Sequence, residues 1–334
     1  MSNELHRLAL ANSGKLKLRA KALLAEGDPE QAVEVAVLLH DAARAEARAV
    51  ASIESPPAET RLAAAIEECW CLLEGGDPVS AALVWGRLDA VADGVAPDVA
   101  SSMRARLSAF YDARARAYGE QISRCKTLQQ MRPTGSLVPA TKTMRKALLR
   151  ELDALLAEFP GLASVWWARY RIKEFDGDFA AAIGALRNAR RLQPDNDRFA
   201  AQSLLVVAEH APSEADATLA TTLDRFGDTS ADVCLLYALA QLRLARSDKK
   251  LARERCEKAA RAAERGFSCV RSPHTRQLLE AARLLTTEML AGRPPTLAIL
   301  YRAGLGDLAI SENVQTFDVA VMLAERAQLV LGAA

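Results

Sequence analysis

Helix breakers punctuate the chain at near-regular intervals. In its middle they fall at Pro160 in LLAEFPG, Pro194 in RLQPDN and Gly227 in LDRFGDT, 34 and then 33 residues apart. In the N-terminal third, ALLAEGDPEQA at 22–32 recurs as CLLEGGDPVSA at 71–81, an offset of 49. In each copy Gly closes one helix, Asp caps the next and Pro takes its first position. A recurring unit of this size cannot bury its apolar face alone, so the pattern restricts the chain to helical hairpins that stack on their neighbours. The residues between the breaks agree, because 66 Ala and 47 Leu make up a third of the 334 positions and both are strong helix formers. With only 4 Trp, 5 Tyr and 8 Phe, the chain lacks the side chains that favour pleated sheets. The expected class is all-α.

The segment SVWWARYRIKEFDGDFAAAIGALRNARRLQPDN, residues 164–196, carries Trp166, then Gly177-Asp178-Phe179, then Ala182, Leu186, Ala189 and Pro194. This pattern resembles the tetratricopeptide repeat, with an aromatic in the first helix, a turn, small residues in the second helix and a closing Pro. Tyr170 departs from it, standing where the family has a small residue. A further unit at 231–266 places Leu236, Ser247-Asp248, Ala252, Cys256 and Ala259 at matching offsets, whereas 197–227 matches weakly around a turn at Pro212. Four contiguous units from about 141 to 266 follow from the spacing. The resemblance implies a right-handed helical-hairpin solenoid whose N-terminal hairpins, with their longer period, are longer.

The expected organisation is N-terminal hairpins with a long connecting helix over 1–130, a linker at 131–141 (MRPTGSLVPAT), and a repeat array over 142–334 ending in capping helices. The linker reading rests on two Pro and one Gly without apolar periodicity. The capping helices span Arg271–Ala291 and Glu312–Leu331, with Gly304-Leu305-Gly306-Asp307 as the turn between them. The opening stretch, Met1 to Ala25, holds no apolar run long enough for a signal-peptide core, and no run in the chain reaches the length of a membrane span, so the expected location is cytoplasmic, with no membrane partner. Arg outnumbers Lys 33 to 10, which together with the Ala content suggests a GC-rich, bacterial gene.

The chemistry-bearing motifs are sparse. Six cysteines at 69, 71, 125, 234, 256 and 269 form no CxxC, and His6, His40, His210 and His274 are far apart. Neither metal-ligand spacing nor a cofactor motif emerges, so no metal and no cofactor are expected. Gly304 to Ala309 spells the skeleton of a dinucleotide fingerprint but follows no strand. Ser123-Lys126 and Ser247-Lys250 share the spacing of an acyl-transfer Ser and Lys but lack the companion motifs. The expectation is a chain without catalysis of its own. A site assembled between distant helices is the enzymatic alternative.

What remains is surface. In tetratricopeptide arrays the first helices of successive units line a concave groove for a partner peptide or helix. Carried through the turn alignment, the resemblance implies a partner-binding groove of Lys17, Lys21, Trp70, Trp167, Arg171, Tyr237 and Gln241, with Trp166 in the core. The bland alternative is that Trp70, Trp167 and Tyr237 pack between helices. The expected function is therefore a protein-protein interaction scaffold, adaptor or regulatory subunit.

Charge supplies the rival reading. The formal net charge is +1, which argues against a uniformly basic nucleic-acid binder, yet the charges are blocked. Residues 121–150 carry Arg124, Lys126, Arg132, Lys142, Arg145, Lys146 and Arg150 and no acid, and residues 243–283 carry 12 basic groups against 5 acidic ones. Either block is a solvated helix face or, in the alternative reading, part of a nucleic-acid-binding surface. No aromatics interleave the first block, which weakens a base-stacking version of it.

Overall fold

The computed structural model describes residues 2–26, 28, 31–131, 141–293, 296 and 298–305, and among these every regular element is a helix. The helices pack largely against their neighbours in sequence. The chain divides into two compact units, Met1–Gly177 with Arg187–Gln193, and Asp178–Leu186 with Pro194–Ala334.

The first unit contains α1 (Ser2–Glu26), α2 (Ala32–Ala51), α3 (Ala58–Glu74), α4 (Pro78–Trp85), α5 (Leu88–Val91), α6 (Pro97–Arg124), α7 (Lys126–Met131), α8 (Lys142–Glu158) and α9 (Ala163–Phe175). Helix α2 packs between α1 and α3, and α3 also meets α4, α5 and α6. Their shared core is built from Leu62, Cys69, Leu73, Ala81, Val84, Leu88 and Leu107. A second cluster, Leu148, Leu152, Ala168 and Ile172, joins α8 to α9.

The second of the two repeated breaks does what its chemistry predicts, whereas after the first, at Asp28, the next helix begins only at Ala32, with Gln31 as its N-cap and no side-chain cap. Asp77 accepts a hydrogen bond from the Ser80 N–H at the start of α4, with Pro78 in the first turn. Thr141 likewise caps α8 through the Met144 N–H. Gly76 takes φ +74°, the left-handed conformation that glycine adopts without strain. The expected long connecting helix, α6, instead breaks at Cys125, where neither Pro nor Gly stands. Glu151 of α8 accounts for the break, because its carboxylate accepts from the N–H groups of Thr127 and Leu128 and from Thr127 Oγ1, capping α7 from another helix.

Two turns of this unit meet backbone to backbone. A methyl group added at Gly161, in the α8–α9 turn, would lie 2.4 Å from the Gly75 carbonyl oxygen and 2.9 Å from His40 Nε2. His40 sits behind this junction, 3% exposed, with Nε2 3.7 Å from Asp77 Oδ2 and without a hydrogen bond there. Burial, reinforced by the positive charge of Arg44, lowers its pKa to about 4, although a hydrogen bond to the Leu192 carbonyl opposes the change.

The division between units falls inside α10 (Phe179–Leu192). The second unit continues with α11 (Asp197–His210), α12 (Pro212–Phe226), α13 (Ala231–Ser247), α14 (Ala252–Phe267), α15 (Pro273–Leu290) and α16 (Ala298–Arg302). Asn196, Ser230 and Ser272 cap α11, α13 and α15. Helix α13 lies at the centre, packed against α11, α12, α14 and α15, and its buried Leu235, Leu236, Leu239 and Leu242 anchor the core with Ala259 and Ala263 of α14. Residues 132–140 of the expected linker, the Gly306-Asp307 part of the expected turn and the expected helix Glu312–Leu331 lie outside the described residues. Residues on both sides of the 131–141 segment belong to the first unit.

Candidate functional site

On α3 the residues Ala63, Ile66, Glu67, Trp70, Cys71 and Glu74 are three or four apart, so they share one helical face. This face forms the wall of an open cavity of about 580 Å³, closed by Lys17 and Lys21 of α1, Leu39 of α2, and Ser102, Met103 and Leu107 of α6. The volume lies within the range of ligand pockets, roughly 300–1,000 Å³. Three of the seven groove residues expected from the sequence, Lys17, Lys21 and Trp70, therefore line one cavity.

The cavity has an apolar body and a charged rim. Trp70 is half-buried and its ring lies 4.8 Å from that of Phe110. Lys17 Nζ donates to Glu46 Oε1 at 2.9 Å and to Glu67 Oε2 at 2.8 Å, and Ser13 Oγ donates to Glu46 at 2.6 Å. Burial opposes the charge on Lys17, but the hydrogen bonds to Glu67 and Glu46 outweigh it and hold its pKa above the ordinary lysine range. Lys21 and Glu74 are exposed at the rim with no ion-pair partner among the described residues. Burial pushes the Cys71 thiol up to about 12, so it is protonated at neutral pH and a poor nucleophile. The lining is equipped to hold an apolar group flanked by charge.

The other expected groove residues lie elsewhere. Trp167 is half-buried on α9, its ring 5.0 Å from that of Tyr170, and Arg171 Nη1 donates to Glu174 at 3.2 Å. Tyr170, the departure from the repeat pattern, is fully buried, and its hydroxyl donates to Glu174 at 2.6 Å. Tyr237 and Gln241 are 6% and 2% exposed and do not face an open groove. Instead, Gln241 Nε2 donates to Tyr237 Oη at 3.1 Å and its Oε1 accepts from Arg255 at 3.1 Å. Arg255 in turn holds both carboxylate oxygens of Asp216. Tyr237 thus follows the bland alternative of packing between helices, and Gln241 is buried with it, since α13 is enclosed on several sides.

Of the basic block at 121–150, Arg124 makes an exposed 3.8 Å pair with Glu120. Arg145 turns inward, donating to Asp176 at 2.6 Å with its guanidinium 4.6 Å from the Phe175 ring centroid. Lys126, Lys142, Lys146 and Arg150 are exposed, and Arg132 lies outside the described residues. All six cysteines are unpaired, and only Cys269 is not buried. Among the described residues no cluster of His, Cys, Asp and Glu is arranged to hold a metal ion, and no helix is long and apolar enough to cross a membrane.

Several groups in these sites fall outside the repeat pattern. Glu67 has a signal in the sequence, lying three residues before Trp70 on the same face. Glu46, Met103 and Leu107 reach the cavity region from other helices and left no local signal, as did the pairing of Arg255 with Asp216 and Gln241. Comparison with protein-family models, with curated proteins and with solved structures gives no match.

Proposed function

We propose that the chain is a non-catalytic protein-interaction scaffold of tetratricopeptide-like helical hairpins arranged as a right-handed solenoid, acting in the cytoplasm and taking a partner peptide or helix through its first-unit cavity. One observation carries the reading: Lys17, Lys21 and Trp70, expected from the repeat alignment to share a binding face, line one cavity although Lys17 and Trp70 are 53 residues apart. The packing of α13 against both α11 and α15 supports a repeat arrangement, since alternate helices of stacked hairpins touch in that way. Trp70 suits an apolar anchor from the partner, and aromatic residues in desolvated pockets commonly dominate interface energetics.

The nucleic-acid alternative draws less support from the 243–283 block. Its Arg253 pairs with Glu257, Arg255 with Asp216, Lys258 with Glu254, Arg265 with Asp228, and Arg283 with Glu280.

The test compares the proteins captured by the wild-type chain with those captured by Trp70→Ala and by Lys21→Glu. The expected result is loss of a shared set of proteins in both variants, with folding unchanged by circular dichroism. Lys21→Glu guards against a packing defect at Trp70, because Lys21 is exposed. Equal capture by both folded variants would remove the cavity from the reading.

A further inference from the structure

The two basic blocks have the same net charge in the sequence, 7 basic groups against no acid and 12 against 5, and differ in the fold. At least half of the cations in 243–283 meet a carboxylate, including Arg243 with Glu209. In the other block, Lys126, Lys142, Lys146 and Arg150 are exposed with no carboxylate at ion-pair distance among the described residues.

Three of these cations are aligned. Lys142, Lys146 and Arg150 are four residues apart on α8, so they stand on one face at steps of about 6 Å. Nearby acids are already engaged. Glu151 points its carboxylate into the start of α7. Asp153, the next acid along the row, is held by Arg169 Nε at 2.8 Å. Half-buried Leu149, three residues after Lys146, flanks the row.

We propose that this face of α8 docks an acidic α-helix of a protein partner, with carboxylates at i, i+4 and i+8 opposite Lys142, Lys146 and Arg150. A second helix presents charges at the same step of about 6 Å, so three pairs form in register without distortion of either backbone. Toward the C-terminus of α8 the row stops at the Asp153–Arg169 pair, whose charges offset one another. A finite acidic stretch matches it, whereas a phosphate backbone would continue its negative charge past that end. Three cations also release few counterions, and nucleic-acid affinity depends on the number of phosphates neutralised. No aromatic side chain stands in the row to stack a base. The face is separate from the α1–α3–α6 cavity, and the proposal does not depend on what that cavity binds.

The test uses the full chain and a labelled alanine-based helical peptide of about 20 residues with Glu at i, i+4 and i+8. Its controls are the same peptide with Gln, the same peptide with Lys, and a duplex DNA and a single-stranded RNA of similar length. By fluorescence anisotropy at low ionic strength, the Glu peptide is expected to bind at least about tenfold more tightly than the Gln peptide, and to weaken as salt is added. The variant K142E/K146E/R150E should lose that preference and instead favour the Lys peptide. It should also fold, since all three side chains are exposed and an acid at 142 suits the first turn of a helix. Equal binding of the Glu and Gln peptides, or a variant that retains the Glu peptide, overturns the proposal. Tighter binding of the DNA or RNA than of the Glu peptide, lost in the same variant, also overturns it and assigns the face to nucleic acid.

Discussion

Acid should destabilise this protein through one imidazole. His40 is enclosed by Gly75, Gly161 and Asp77, and burial together with the charge of Arg44 lowers its pKa from 6.5 to about 4. The unfolded chain takes up a proton below about pH 6.5, and the native state resists until about pH 4. The associated stability is therefore complete above pH 6.5 and is lost as the pH falls between the two values. At about 1.4 kcal/mol per pH unit, the loss reaches roughly 2.5 kcal/mol by about pH 4.5. Asp77 acts in the opposite sense, because burial holds its carboxyl above the usual range and its protonation relieves a native-state cost. The figure of roughly 2.5 kcal/mol is accordingly an upper value for the pair. Urea unfolding followed by circular dichroism at several pH values measures the loss in the wild type and in His40→Asn, whose amide retains a donor for the Leu192 carbonyl. The variant is less stable at neutral pH, but its stability should be nearly flat across the window. An equal decline in both proteins would refute the argument and place the acid sensitivity in other groups.

Three further outcomes follow from packing and burial. Gly161→Ala forces a methyl group to within 2.4 Å of the Gly75 carbonyl oxygen and should cost about 3 kcal/mol in urea unfolding, whereas Gly184→Ala, exposed in α10 with nothing within 4 Å, should stabilise by about 0.5–1 kcal/mol. Arg255→Met leaves the Gln241 carbonyl oxygen buried without its donor and should cost about 1–3 kcal/mol, visible as a lower melting temperature with unchanged helicity. The Cys69, Cys71 and Cys234 thiols, each pushed up to about 12 by burial, should resist an aromatic disulfide reagent in the native protein, and Cys269→Ser should remove the fastest-reacting thiol.

Local chemistry wrote much of the fold into the sequence. Asp77-Pro78, Asn196, Ser230 and Ser272-Pro273 start helices because caps and helix-initiating prolines act within a few residues of themselves. The common face of Lys17 and Lys21 was also legible, since helical spacing determines which residues share a face.

Tertiary structure decided what those faces meet. The break at Cys125 needed Glu151 from another helix. Tyr237 and Gln241 occupy the positions the repeat pattern marks for a groove, yet they are buried because α13 is packed against four neighbours. The two basic blocks, equal in net charge, parted partly through acids on their own helices, as Glu257 beside Arg253, and partly through carboxylates the fold brought to them, as Asp216 to Arg255 and Asp228 to Arg265. Periodicity specifies the direction a side chain takes from its own helix. Whether that direction ends in solvent, in a carboxylate or in another helix depends on residues distant in the chain, and only their packing determines it.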